Sequence, residues 1–305
     1  MVKSAERSSM KPVRILLDRT AVLFIGIATG AAISYSFLEN KSTTGAANVA
    51  VMQSNDTAGT AAASCPTGLE LSPALRRSLA EGTPIDIGVF GDSFGDGIWA
   101  GLYNELRDLD GLTVHRFAKQ STGFTRYHSL NLLEDVEGKL GSQAVDLAVI
   151  SFGANDTWDI WEAGQMMPYM SDEWQRVIRG RVREYVGRIK DSGAVVVWVG
   201  LPSMRKAKFN EQVTQMNAFN KEQMCELDVP FIDTLPKSVD GNGGYTEMLQ
   251  RAEGGPPIMA RAGDGIHMTT TGYRILVEDL TRDIRNAIPA KMDIQADVTV
   301  SAVAR

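Results

Sequence analysis

Between Val89 and Leu102 the chain reads VFGDSFGDGIWAGL. An apolar run stops at Gly91, Asp92 and Ser93 follow at once, and Gly95 and Gly97 come close behind. A serine at such a turn sits where a nucleophile has to be, but a serine hydroxyl is inert at neutral pH without an adjacent base. Histidine is the natural base, and the chain holds three: His115, His128 and His267. His115 lies inside a strand-like stretch and His128 in a loop five residues after Gly123. Only His267 has a carboxylate three residues earlier, Asp264. On a tight loop that spacing lets the carboxylate accept from one ring nitrogen while the other faces the serine. Ser93, Asp264 and His267 are therefore the candidate catalytic residues, and the chemistry they suit is acyl transfer.

Acyl transfer also needs hydrogen-bond donors for the developing oxyanion. Three candidates stand out: the backbone N–H of Ser93, that of Gly123 in KQSTGFTR, and the side-chain amide of Asn155 in FGAND. The plainer readings are a helix-capping Ser93, a turn glycine at 123 and a loop-capping Asn155. Asp92 and Asp156 read as loop braces. In order, Gly91-Asp92-Ser93, Gly123, Gly153-Ala154-Asn155-Asp156 and Asp264-Gly265-Ile266-His267 resemble the SGNH (GDSL-type) hydrolases, over roughly residues 85–288. The resemblance implies an oxyanion hole of Ser93, Gly123 and Asn155. It implies ester hydrolysis through an acyl-enzyme on Ser93, with no metal or organic cofactor. It also points to O-acetyl esters of an envelope or secreted glycan. An acetyltransferase using a sugar hydroxyl in place of water is one alternative; a membrane-tethered glycan-binding or assembly protein without chemistry is another. Gly91–Gly95 also fits the GxSxG elbow of α/β-hydrolases. There, several strands precede the elbow and acid and base lie on separate loops; here the elbow follows the first strand and one loop carries both.

These residues need a scaffold that brings distant loops to one rim. Apolar runs predict strands at Ile85–Phe90, Leu112–Phe117, Val145–Phe152, Ala194–Val199 and Val229–Ile232. Helical spacing predicts helices over Gly97–Leu109, from Ser171 to about Asp191, and through Tyr273, Leu276, Leu280, Ile284 and Ile288. Ser171 caps the second of these, with Asp172 and Glu173 in its first turn. Short continuous apolar strands alternating with helices predict an α/β fold, with a parallel sheet of about five strands covered on both faces. The resemblance makes this a flavodoxin-like three-layer α/β/α arrangement, the SGNH hydrolase fold. In such folds the site lies at the carboxyl ends of the strands, where the loops after Phe90, Phe117, Phe152 and Val199 meet.

The ends of the chain set its surroundings. Residues 1–20 are basic, and Ala21–Leu38 is uncharged; at 1.5 Å per residue it covers about 27 Å, enough for a hydrocarbon core. The basic flank predicts a cytoplasmic N-terminus and an exported body: a single-pass signal anchor at 21–38 in the cell inner membrane, with the rest in the periplasm or outside. A cleaved signal peptide and a secreted domain is the rival. Gly26 and Gly30 have helix-pairing spacing. Residues 39–64 read as a flexible linker, 65–289 as the hydrolase domain and 290–305 as a loose tail. The chain has 305 residues, 44% apolar, and a net charge of −6, which leaves no basic field for nucleic acid. The Arg/Lys cluster from Arg176 to Lys190 reads as a solvated helix face. Cys65 and Cys225, the two cysteines, either pair in an oxidising compartment or stay free thiols. Trp158, Trp161 and the Met166–Met170 stretch suit a sugar or acyl pocket, or a flap packed on the domain. The Gly-rich segment from Lys237 to Gly263 suits a lid or a surface insertion. The implied partners are an acylated carbohydrate or other ester and, through the N-terminal helix, a membrane.

Overall fold

In a computed structural model, the chain is described over residues 65–66, 73–251 and 254–287. The predicted span at 21–38, the linker and the C-terminal tail lie outside these residues. Among the described residues no helix is long and apolar enough to cross a membrane. The elements follow in order: helix α1 (Pro73–Glu81), strand β1 (Ile85–Gly91), α2 (Ser93–Leu106), β2 (Leu112–Arg116), α3 (Leu132–Ser142), β3 (Leu147–Ser151), a small hairpin of β4 (Ile160–Glu162) and β5 (Gln165–Met167), and α4 (Asp172–Asp191). Then come β6 (Val195–Val199), α5 (Ala207–Glu226), β7 (Phe231–Ile232), a second hairpin of β8 (Met248–Leu249) and β9 (Ile258–Met259), α6 (Thr270–Leu276) and α7 (Glu278–Ala287).

β1, β2, β3, β6 and β7 form one sheet in the order β2-β1-β3-β6-β7, all parallel. The side-chain period of two sends Ile87, Val89, Leu147, Val149, Val197 and Val199 to one core, against α2, α6 and α7. Phe90, Ala148, Ile150, Val196 and Trp198 face the other core, against α3 and α4. The architecture is thus the expected three-layer α/β/α. The chain leaves β1 for β2 on one side and returns to place β3 on the other. The loops after β1 and β3 therefore diverge from neighbouring strand ends, the crevice where such sheets bind ligands.

α4 is capped as expected, Ser171 Oγ accepting from the Trp174 N–H at 3.3 Å, and buries Trp174, Ile178, Val182, Tyr185 and Ile189. Its basic face is ion-paired rather than simply solvated: Arg179 bridges to Glu222 and Glu226, and Arg188 to Glu137. Arg181 turns inward to Glu162 and the Phe124 carbonyl. α2 begins at Ser93, four residues before the predicted start, because the Asp92 carboxylate accepts from the Phe94 N–H at 2.8 Å and caps it there. The final helix is two, α6 and α7, meeting at Val277. The segment from Lys237 to Gly263 is no loose lid: Leu249 and Ala260 are buried in the core of α2 and α6. The Arg261 guanidinium reaches the Ser203 hydroxyl and the Ser238 carbonyl. Cys65 and Cys225 form a disulfide with Cα atoms 4.8 Å apart, fastening residue 65 to the last turn of α5. That turn precedes β7, so the clamp sits at the amino-terminal edge of the sheet.

Two glycines of GDSFGDG are explained by close approach. At Gly91, φ is +146° and a Cβ would lie 2.1 Å from the Ser151 carbonyl oxygen. At Gly97 a Cβ would lie 2.0 Å from the Tyr273 ring, which seats α6 on α2. Tyr273 is 5% exposed, so displacing its ring disturbs the packing of α6 on α2. Gly97→Ala is expected to destabilise the fold by about 2 kcal/mol, the usual cost of overpacking, read as a lowered midpoint in chemical unfolding.

Candidate active site

The turn after β1 delivers Ser93 to the first position of α2, one residue inside the cap at Asp92. Its hydroxyl does not cap the helix, and its partner is His267. The 260–269 loop supplies that partner. Its strands are held by Ala262 N–H to the His267 carbonyl and Thr269 N–H to the Ala260 carbonyl, both 2.9 Å. Gly265 makes the turn with φ +74°. Across it, Asp264 Oδ1 accepts from the N–H groups of Ile266 and His267 at 2.8 and 2.9 Å. Asp264 Oδ2 lies 2.6 Å from His267 Nδ1, and His267 Nε2 lies 2.8 Å from Ser93 Oγ. The Phe94 ring stacks on the imidazole at 5.3 Å. Burial works to raise the Asp264 pKa, but the bonds from the His267 ring and the two N–H groups outweigh it and hold the carboxyl at about 2. The carboxylate is thus charged at any working pH and can orient the ring.

The loop after β3 meets the same end of the sheet. Asn155 Nδ2 donates to the Thr122 carbonyl at 3.0 Å and to Asp92 Oδ2 at 3.3 Å. Donation to a developing oxyanion competes with the longer of these. Asp156 Oδ1 accepts from the Thr125 N–H at 2.8 Å and the Thr125 hydroxyl at 2.9 Å. The same oxygen abuts Gly123, where a Cβ would come within 2.5 Å; the position is closed to a side chain by contact, its φ of 171° being ordinary extended backbone. Asp92 and Asp156 are both buried and brace the loops, as read from the sequence. Burial pushes the Asp92 carboxyl up to about 7, with nearby Asp156 adding to the effect and the Phe94 and Gly153 N–H groups opposing it. Burial raises Asp156 as well, against its bonds to Thr125.

The other histidines lie elsewhere, His115 on Asp86 at 2.6 Å and His128 beside the Trp161 carbonyl at 3.4 Å. Trp158 and Trp161 stand outside the cleft at Ser93. Ile160 and Met167 of the hairpin pack on the domain, while Trp158, Trp161 and Met166 are exposed at 65%, 63% and 59%. The cleft itself, about 390 Å³, is lined by Ser93, His267, Asp96, Trp99, Arg116 and Gln120 among others. The last four are residues that motif reading passed over. Asp96 and Gln120 sit inside the motif-bearing stretches, and Arg116 ends β2 on the same rim. Among the described residues no group of His, Cys, Asp and Glu is arranged to hold a metal ion.

Residues 86–283 match the family described as "Protein of unknown function (DUF459)". Among solved structures the chain is similar to the aryl esterase of M. smegmatis, at 18% identity and a TM-score of 0.45, covering 67% of this chain and 99% of that one. It is also similar to a carbohydrate acetylesterase from Sinorhizobium meliloti, at 15% identity and a TM-score of 0.45, covering 66% and 99%. A GDSL-like lipase from Bacteroides thetaiotaomicron aligns at 17% identity and a TM-score of 0.44, covering 70% and 97%. No curated protein matches the chain.

Proposed function

Since the chain belongs to the family described as "Protein of unknown function (DUF459)" and carries the SGNH residue blocks on one rim of a parallel sheet, we propose that it is a serine ester hydrolase. The observation that carries this is the relay from Asp264 through His267 to Ser93, at 2.6 and 2.8 Å. Ser93 Oγ attacks the ester carbonyl carbon while His267 Nε2 takes its proton. The tetrahedral oxyanion is met by the Ser93 and Gly123 N–H groups and the Asn155 amide. As it collapses, the acyl C–O bond breaks and the alcohol leaves with the proton from His267. Water then attacks the acyl-enzyme, gives a proton to His267 and releases the acid, and Ser93 recovers its hydrogen.

The substrate we propose is an O-acetyl ester of an envelope or secreted glycan. An open cleft beside Ser93 and the exposed indoles of Trp158 and Trp161, flat faces for further sugar units, support it. The uncharged span at 21–38 supports a membrane-anchored domain outside the cytoplasm. The disulfide brings the chain into the domain at the amino edge of the sheet, remote from the cleft at its carboxyl edge. The purified protein is expected to hydrolyse p-nitrophenyl acetate, and Ser93→Ala to abolish this to the level of buffer. Turnover that persists unchanged in Ser93→Ala, or none in the wild type, sinks the reading.

A further inference from the structure

We infer that Asp96, Arg116 and Gln120 form the surface that recognises the alcohol half of the ester, and that this half is polyhydroxylated; the inference deepens the esterase reading and rests on it. All three line the same cleft as Ser93 and His267. Arg116 is held in place from two sides. Its Nε and Nη2 donate to the two Asp96 carboxylate oxygens, and its guanidinium lies 5.2 Å over the Trp99 ring. Trp99 is itself fixed, its Nε1 donating to the Val114 carbonyl at 3.1 Å and its ring stacked on Tyr103 at 5.5 Å. Gln120 Nε2 joins the cluster by donating to Asp96 Oδ2 at 2.7 Å.

The wall has a definite chemical character. The Asp96 side chain is 14% exposed and that of Arg116 53%, so the carboxylate is spent on its neighbours while the guanidinium faces the cleft. Asp96 also offsets the charge of Arg116, so the wall does not select strongly for anions. What remains on offer is the unused N–H donors of Arg116, centred on Nη1, and beside them the Gln120 carbonyl oxygen as acceptor. A hydroxyl is donor and acceptor at once, and neighbouring sugar hydroxyls match such a pair; an alkyl alcohol leaves these groups without partners and loses their hydration. The clamp on Arg116 removes much of the rotamer freedom that binding otherwise has to freeze.

The test compares two acetate esters of similar size with the full chain: glucose monoacetate and cyclohexyl acetate, which differ chiefly in hydroxyls. The wild type is expected to favour the sugar ester at least tenfold in kcat/KM. In Arg116→Ala that ratio should fall at least tenfold, mainly through KM, and in Gln120→Ala it should fall in the same direction. Arg116→Lys should recover only part of it, because an ammonium cannot make the two-pronged contact to Asp96. Far-ultraviolet circular dichroism of each variant, matching that of the wild type, shows that it is folded. Equal use of the two esters by the wild type, or a ratio unmoved in both alanine variants, overturns the inference while leaving the esterase standing. No hydrolysis of p-nitrophenyl acetate by the wild type overturns both.

Discussion

Replacing His267 with Ala is expected to lower kcat for ester hydrolysis about a million-fold, the scale set by removing the base of a working triad. Among the described residues no other histidine can take its proton: the two others are engaged at Asp86 and at the Trp161 carbonyl. The fold should survive, since the 260–269 loop is closed by backbone bonds and by Arg205, whose N–H donates to the Gly265 carbonyl at 2.9 Å and whose Nη2 donates to the Gly263 carbonyl at 2.9 Å. Asp264→Asn should cost about ten-thousand-fold, the loss expected when the imidazole is held in the wrong tautomer. The losses should not add. Ser93→Ala combined with His267→Ala should be no worse than the poorer single variant, because the three side chains act as one device. Single-turnover kinetics with p-nitrophenyl acetate read all of these. A His267→Ala enzyme within a hundredfold of wild type would require a different base and dismantle the assignment.

Most of this site was legible because its parts are local in sequence even though they are distant from one another. Asp264 and His267 share one loop, and the DS step after an apolar run needs no tertiary knowledge to mark Ser93. The sheet was legible for a related reason: strands buried on both faces read as unbroken apolar runs. α5 was not, and the cause is physical. Its buried face carries Asn217, Asn220 and Gln223 among Val213, Met216, Phe219 and Met224. Asn217 earns its place by accepting from the Leu201 N–H at 2.9 Å and donating to the Leu201 carbonyl at 2.8 Å. Satisfied amides are as buried as leucine here, but they erase the periodicity by which a helix is recognised. The start of α2 was misplaced because glycine speaks against helix, whereas Gly95 and Gly97 are there for the Phe90 carbonyl and the Tyr273 ring. The polar wall of the cleft was hidden for a third reason: Asp96, Arg116 and Gln120 are spread over twenty-five residues and meet only through the pairing of β1 with β2.

The second large effect is on stability, and it comes from Asp92. In the unfolded chain its pKa is near 3.8; in the fold, burial above all, with Asp156 beside it, raises it to about 7. Between those values the native state holds a proton that the unfolded state has released. Stability must therefore fall as pH rises through that window and level off above it. Three units correspond to about 4 kcal/mol, and the rise at Asp156, also from burial, acts in the same direction. Asp264 works the opposite way but below the window, because its folded pKa is about 2. Urea unfolding of the wild type from pH 4 to pH 8 should show this decline, and Asp92→Asn should flatten most of it, since an amide keeps the acceptor for the Phe94 N–H without a proton to lose. The same substitution should impair turnover, because it sets an N–H donor against Asn155 Nδ2, where Asp92 now offers an acceptor at 3.3 Å. A buried carboxylate that weakens the fold at neutral pH is kept for what it holds, the first turn of the helix that carries Ser93 and the Asn155 amide. If Asp92→Asn leaves both the pH slope and kcat at wild-type values, Asp92 is neither the titrating group nor the brace.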